Sequence, residues 1–154
     1  WHHAERRSDR ERRRRHHRSL LRKGLVTNEE LDQALEEKQH GELLGEALVR
    51  LRFCFEDDIA RVLAEQSNIE FVDIGVTSVD YRAVEMLPWS QAEQLRAIPL
   101  RLHSDGSVSV AVADPSDETL IPHLKLAFGG CEVRLLVTTQ SALRAAWATA
   151  YPQR

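Results

Sequence analysis

At 154 residues and 42% apolar side chains, the chain suits one ordinary domain or two small ones and is too rich in core-forming residues to be disordered throughout. No apolar run approaches the ~18 residues of a membrane-spanning helix, and the basic, polar N-terminus lacks the apolar stretch of a secretory signal, so the cytoplasm is the expected compartment. The net charge of -3 hides an asymmetry: residues 1–23 carry +7 and the remainder carries -10.

The opening Trp1-His2-His3, without a methionine, is expected of a fragment of a longer chain or of an expression boundary. Ala4 to Arg18 is charge-dense, with Arg12-Arg13-Arg14-Arg15-His16-His17-Arg18 at its centre, and holds no apolar residue after Ala4. Such a stretch reads either as a solvated lead-in to the next helix or as an electrostatic contact with phosphates or an anionic membrane surface. It has no interleaved aromatic residues, which argues against a platform for single-stranded nucleic acid.

A degenerate repeat with a period of 28 residues organises the first half: Leu20-Leu21 answers to Leu48-Val49, Leu25-Val26 to Phe53-Cys54, Leu31 to Ile59 and Leu35 to Leu63. In each copy a short helical pattern, a turn and a second helical pattern follow one another. Lys23-Gly24 reads as a helix end with a left-handed stop. Thr27 and Glu30 make a capping box for an amphipathic helix from Glu29 to about Gln39, ended by His40-Gly41. Glu42 to Leu51 is the next helix, Arg52 to Phe55 the turn, and Glu56-Asp57-Asp58 the acidic first turn of a helix that runs to about Ser67 and breaks at Asn68.

The second half changes period. Ile69 to Ile74 alternates as a short strand closed by Gly75. Val79 to Leu87 reads as a short helix stopped by Pro88, and Trp89 to Gln94 as a further helical turn. Arg96 to His103 reads as a strand, with Pro99 placing it at an edge or a bulge. Ser104-Asp105-Gly106 is a hairpin turn, and Ser107 to Ala113 returns as a strongly alternating strand. Asp114-Pro115-Ser116-Asp117 caps a helix from about Glu118 to Phe128, stopped by Gly129-Gly130. Cys131 to Val137 is a strand, and Thr138 or Thr139 caps a last helix whose core face is Leu143, Ala146, Trp147 and Ala150. The expected class is α+β: an all-helical repeat of two helix-turn-helix units, then a small, mostly antiparallel sheet packed with helices. The expected divisions are a basic arm or linker over 1–18, a helical repeat over 19–68 and an α+β part over 69–154.

The patterns of common catalytic sites are missing: no phosphate-binding Gly-rich loop, no Gly-x-Ser-x-Gly elbow, no His-Glu-x-x-His and no Cys-x-x-Cys. Cys54 and Cys131 sit in apolar runs and read as buried free thiols. His103 and His123 are isolated and read as ordinary surface histidines, while the acids Asp57-Asp58, Asp114 and Asp117 suit helix capping better than carboxylate catalysis. No catalytic residue, metal site or cofactor is expected, and the chain is expected not to be an enzyme.

Leu87-Pro88, Ile98-Pro99-Leu100, Val110-Ala111-Val112-Ala113-Asp114-Pro115, Phe128-Gly129-Gly130 and Ala150-Tyr151 occur in that order. Together they resemble the N-terminal domain of type II secretion and type IV pilus assembly ATPases, over about Ser19 to Tyr151. The Ala-Asp-Pro step after an alternating strand is the most specific of these marks. The resemblance implies a non-catalytic regulatory and protein-interaction module that couples a hexameric assembly ATPase to the cytoplasmic part of an inner-membrane platform protein. It implies a platform protein or an assembly ATPase as partner, and a cytoplasmic chain associated with the membrane through that partner. A weak contact of the Arg-rich arm with an anionic surface is also expected, and no specific nucleic acid.

In one branch of the family, with the MshEN-type domain, the helical repeat binds cyclic di-GMP through a pattern given twice. The pattern is Arg-Leu-Gly, two apolar residues, a Gly, two more apolar residues, spaced Leu residues and a Gln. Here the second copy keeps Leu44-Gly45, Leu48-Val49, Phe53-Cys54, Ile59, Leu63 and Gln66, with Leu43 at the Arg position and Arg52 at the second Gly. The first copy keeps Leu20-Leu21, Gly24, Leu25-Val26, Leu31 and Leu35, with Arg15-His16-His17 at the Arg-Leu-Gly step and Lys38 at the Gln. The resemblance thus implies a cyclic di-GMP sensor as the alternative function. Its contacts would fall on Arg15, Arg18, Leu20, Leu21, Gly24, Leu25, Leu44, Gly45, Leu48, Val49, Arg52 and Gln66. An Arg can stack on guanine and fork to its O6 and N7, and a Gly lets the backbone approach a phosphate or base.

Overall fold

The computed structural model describes residues 11, 14–75, 79–115 and 118–152. The first ten residues of the basic arm, Arg12-Arg13, and the Ser116-Asp117 half of the expected capping turn lie outside the described residues. Among the described residues there are eight helices and a three-stranded sheet, the α+β class the sequence implied. The chain forms two compact units that divide inside a helix, between Val62 and Leu63.

The first unit is helical. Residues 14–22 form α1, Asn28–Glu37 α2 and Leu44–Arg50 α3, and Glu56–Ser67 is α4, within which the units divide. The capping box expected at α2 is present: Thr27 Oγ1 accepts from Glu30 N–H at 3.1 Å, and Glu30 Oε1 accepts from Thr27 N–H at 2.9 Å. Two of the four orphan N–H groups of that helix end are thereby satisfied. Leu31 and Ala34 are its buried positions, and Leu20 and Val26 are buried before it. The acids Glu56, Asp57 and Asp58 stand in the first turn of α4, where the helix dipole favours them.

In the second unit, Tyr81–Val84 is α5, Trp89–Leu95 α6, Ala97–Leu102 β1, Val108–Val112 β2, Leu120–Ala127 α7, Val133–Val137 β3 and Gln140–Ala150 α8. The strand order is β1-β2-β3; β1 and β2 run antiparallel, β2 and β3 parallel. A parallel pair needs a crossover, and α7 supplies it. β1 is an edge strand, and its register slips between Pro99 and Arg101, so Leu100 is the extra residue of a bulge. Proline has no N–H to offer a ladder, which explains both features.

Alternation along β2 sends side chains to two cores. Val108, Val110 and Val112 join Leu120, Leu124 and Phe128 around α7. Ala111 and Ala113 join Ile98, Leu100, Leu143 and Ala150 around α8. The sheet is therefore covered by helices on both faces, as a strand apolar on both sides requires. Asp80 fastens α5 to β1: its carboxylate accepts from Arg82 N–H at 3.0 Å and Leu102 N–H at 3.3 Å. The Arg82 guanidinium, with those backbone donors, holds this carboxyl below its ordinary pKa.

One local expectation changes, and one pair of alternatives is decided. Ile69 to Ile74 is not a strand; it makes one parallel bridge, Phe71 with Val137. Asp73 Oδ1 accepts from Gly75 N–H at 3.0 Å, and this side-chain turn curls the backbone away before a ladder can extend. At α8 the cap is Thr139, whose Oγ1 accepts from Ala142 N–H at 3.1 Å, while Thr138 is buried and its N–H bonds Val112 O at 3.0 Å. No helix among the described residues is long and apolar enough to cross a membrane.

Candidate functional site

The repeat is written into the backbone as well as into the residues. At the end of α1, Leu25 N–H bonds Leu20 O at 3.1 Å and Gly24 N–H bonds Leu21 O at 3.1 Å. At the end of α3, Phe53 N–H bonds Leu48 O at 2.9 Å and Arg52 N–H bonds Val49 O at 3.0 Å. Each is a Schellman closure, and the two stand 28 residues apart with every partner in register. The closure needs a left-handed residue, supplied by Gly24 at φ 70° and by Arg52 at φ 64°.

The two closures thus differ in the residue at their left-handed position. No heavy atom lies within 4 Å of where a Gly24 Cβ would stand, so Gly24 is there for its φ and not for space. Arg52 meets the same demand with a Cβ, at a cost of about 1–2 kcal/mol. Glycine's extra freedom in the unfolded chain takes back about 0.5–1 kcal/mol. Arg52→Gly is therefore expected to stabilise the chain by about 0.5–1 kcal/mol, read as a higher urea midpoint at unchanged slope. A lower midpoint would mean that the guanidinium holds contacts worth more than the strain.

Gly45 has the opposite reason to be glycine. It lies in α3, and a Cβ there would meet Ile59 Cγ2 of α4 at 2.8 Å. That methyl sits on the β-carbon of a buried, branched side chain and has no free torsion to swing away. Gly45→Ala is expected to cost about 1–3 kcal/mol through overpacking, although alanine is the better helix former by about 1 kcal/mol. In a double-mutant cycle, Ile59→Ala should recover part of that loss. Strict additivity of the two changes would refute the close approach.

Leu20 and Leu48 are 0% exposed, so both are core side chains. Leu21, Leu25, Leu44 and Val49 are half-buried and leave part of their apolar surface open. Arg15 and Arg18 are exposed on α1, and Arg52 is exposed at its turn. Leu20, Leu21, Gly24 and Leu25 are gathered in one closed turn, and Leu48, Val49 and Arg52 in the other. Leu44 and Gly45 stand in the first turn of α3. Gln66 is exposed near the end of α4, past the division between the units.

Arg50 and Glu42 are residues the sequence does not single out. Arg50 Nε donates to Glu42 Oε2 at 2.9 Å, and its Nη2 donates to Glu42 Oε1 at 3.0 Å and to Glu37 O at 3.0 Å. This fork ties the end of α2 and the following loop to α3. The Arg50 hydrogen bond, helped by Gln39 N–H, holds the Glu42 carboxyl below its ordinary pKa. An eight-residue separation gives no local pattern from which to read the pair.

Phe55, Glu56, Asp57, Asp58 and Arg61 line an open concavity of about 500 Å³ at the start of α4. Phe55 is 79% exposed there, in the place that Thr27 holds in the first copy. Cys54 and Cys131 are free and half-buried. Burial, with Asp58 and Glu30 nearby, pushes the Cys54 thiol up to about 11, which suits an inert side chain. His103 is half-buried, its Nε2 2.6 Å from Ser109 Oγ, and His123 is exposed. Among the described residues no group of three or more His, Cys, Asp or Glu is placed to hold a metal.

Residues 67–154 match the MshEN domain family. The chain is 33% identical, over 137 residues and 88% of its length, to the type IV pilus assembly ATPase PilB of Thermus thermophilus, of which it spans 15%. It is 29% identical over 86 residues to bacteriophage adsorption protein B of Escherichia coli, spanning 12% of that protein and using 56% of this chain. The solved structure of MshE with cyclic di-GMP is similar at a TM-score of 0.71 and 27% identity, covering 86% of this chain and 95% of that one. The N-terminal domain of XpsE is similar at a TM-score of 0.71 and 25% identity, covering 86% and 91%. The family match begins at Ser67, so the helical repeat enters these comparisons through PilB, MshE and XpsE.

Proposed function

The chain belongs to the MshEN domain family, found in type II secretion and type IV pilus ATPases, and from that membership we propose that it is a cytoplasmic, non-catalytic interaction module that couples an assembly ATPase to its inner-membrane platform. The observation that carries the reading is the likeness, over most of the chain, to an XpsE domain that is solved as an N-terminal domain by itself. In this reading residues 1–18 are an arm, 19–68 a regulatory helical repeat and 69–154 the α+β part. The α+β part carries a packed core on each face of its sheet. Titration against the cytoplasmic segment of a platform protein, and separately against the ATPase domain, is expected to give saturable binding to at least one. Binding to neither overturns the proposal.

A second reading, cyclic di-GMP sensing by the repeat, is supported by the likeness to MshE, which was solved with that dinucleotide. Arg15 would stack on and fork to a guanine, and the open surface above Gly24 would admit a phosphate or a base. Leu43 and Arg52 stand where the pattern calls for Arg and Gly, so weak binding is expected, strengthened by Arg52→Gly and removed by Arg15→Ala. Calorimetric titration at tens of micromolar protein checks it; no heat from either the parent chain or Arg52→Gly sinks it.

A further inference from the structure

The outward face of α1 is not used by the repeat's core or by its turns. Arg14, Arg18 and Arg22 recur every fourth residue and therefore share one side of the helix, and all three are exposed. Leu20, which is 0% exposed, lies on the opposite side. Arg15 is exposed beside the stripe. Successive arginines of the stripe are roughly 6 Å apart along the helix axis, within the ~8 Å Debye length of physiological salt, so neighbouring charges act together on any surface that approaches them.

We infer that this stripe is a docking face for an anionic phospholipid bilayer. The inference deepens the reading above, which places the chain beside an inner membrane. Charge complementarity carries it: residues 1–23 hold +7 while the rest of the chain holds -10. A negatively charged plane therefore attracts one end of the sequence and repels the remainder, which favours contact through α1. Beside the stripe, among residues 14–22, the apolar side chain is Leu21, which is half-buried, and none is fully exposed, so the contact is mainly electrostatic and peripheral. A long flexible polyanion fits less well. The segment from Ala4 to Lys23 has no Trp, Tyr or Phe on which bases could stack, and such a polymer would also reach the acidic remainder.

Co-sedimentation with phosphatidylcholine vesicles containing phosphatidylglycerol, against phosphatidylcholine alone, tests the inference. The parent chain is expected to bind only the anionic vesicles and to be released when salt rises from about 50 to about 500 mM. At about fivefold for each arginine, Arg14→Gln/Arg18→Gln/Arg22→Gln should weaken binding about 100-fold. The matching triple change to Lys should retain binding within a few-fold, which guards against a variant that simply fails to fold. Equal binding to neutral vesicles, undiminished binding by the Gln variant, or duplex DNA that competes as well as the vesicles themselves would each overturn it. Platform titration without lipid reads the other proposal separately: loss of vesicle binding with platform binding retained sinks only this inference.

Discussion

Leu48→Ala is expected to destabilise the helical repeat by about 3 kcal/mol, and Leu20→Ala by a similar amount. Both side chains are 0% exposed, and both residues accept the longer hydrogen bond of a Schellman closure. Truncation loses the transfer free energy of three carbons and leaves a cavity that the surrounding helices fill only in part, which puts the cost within about 2–5 kcal/mol. The near-equality of the two effects is the more telling part. Equal burial at equivalent places in the two closures is the reason the two sites are expected to respond alike. Urea unfolding, with hydrogen exchange at the amides of α1 and α3, measures both. A loss below about 1 kcal/mol at either site would show that its helix is not held by that side chain.

Trp147→Ala is expected to cost about 3–5 kcal/mol, the largest effect in the second unit. Trp147 Nε1–H donates to Ala97 O of β1 at 2.9 Å. Its ring meets Trp89 edge-on, with centroids 5.1 Å apart at 85°. Trp89 in turn lies 5.5 Å from Tyr151, whose hydroxyl donates to Leu87 O at 2.8 Å. Burial pushes the Tyr151 phenol up to about 12, so it stays a donor across the physiological range. The cluster fastens α8 and the residues after it to β1 and to the α5–α6 turn. Trp147→Phe separates the two contributions. It keeps most of the apolar body and removes the N–H, at an expected cost of about 1–3 kcal/mol for leaving a carbonyl of the fully buried Ala97 without that donor. If Phe proved as costly as Ala, the hydrogen bond rather than packing would dominate. Denaturation followed by tryptophan emission and by circular dichroism distinguishes these outcomes.

Local chemistry was legible wherever a residue's neighbours in sequence are also its neighbours in space. The Thr27–Glu30 capping box, the Gly24 stop, the alternation of β2 and the Pro99 bulge all depend on groups within a few residues of one another. The order of helices and strands followed from them, and so did the α+β class. The 28-residue period was legible too, because each copy repeats a local closure. The candidate site was legible only as a list of positions. Which of its leucines are core and which stay half-open depends on packing, and Leu20 and Leu21 look alike in a sequence while only Leu20 is fully buried.

By itself, then, the sequence determined the elements, their caps and stops, the repeat and the charge asymmetry, since periodicity and capping act over one or two turns of chain. Tertiary structure decided the rest. It limited the pairing of Ile69 to Ile74 to a single bridge, between Phe71 and Val137 of β3. It paired β3 parallel to β2, a choice no residue in either strand announces. It joined Arg50 to Glu42, and it gave Gly45 its reason in Ile59, fourteen residues away. These contacts are set by how helices and strands come to lie against one another, and that depends on the summed burial of many side chains rather than on any short run of sequence.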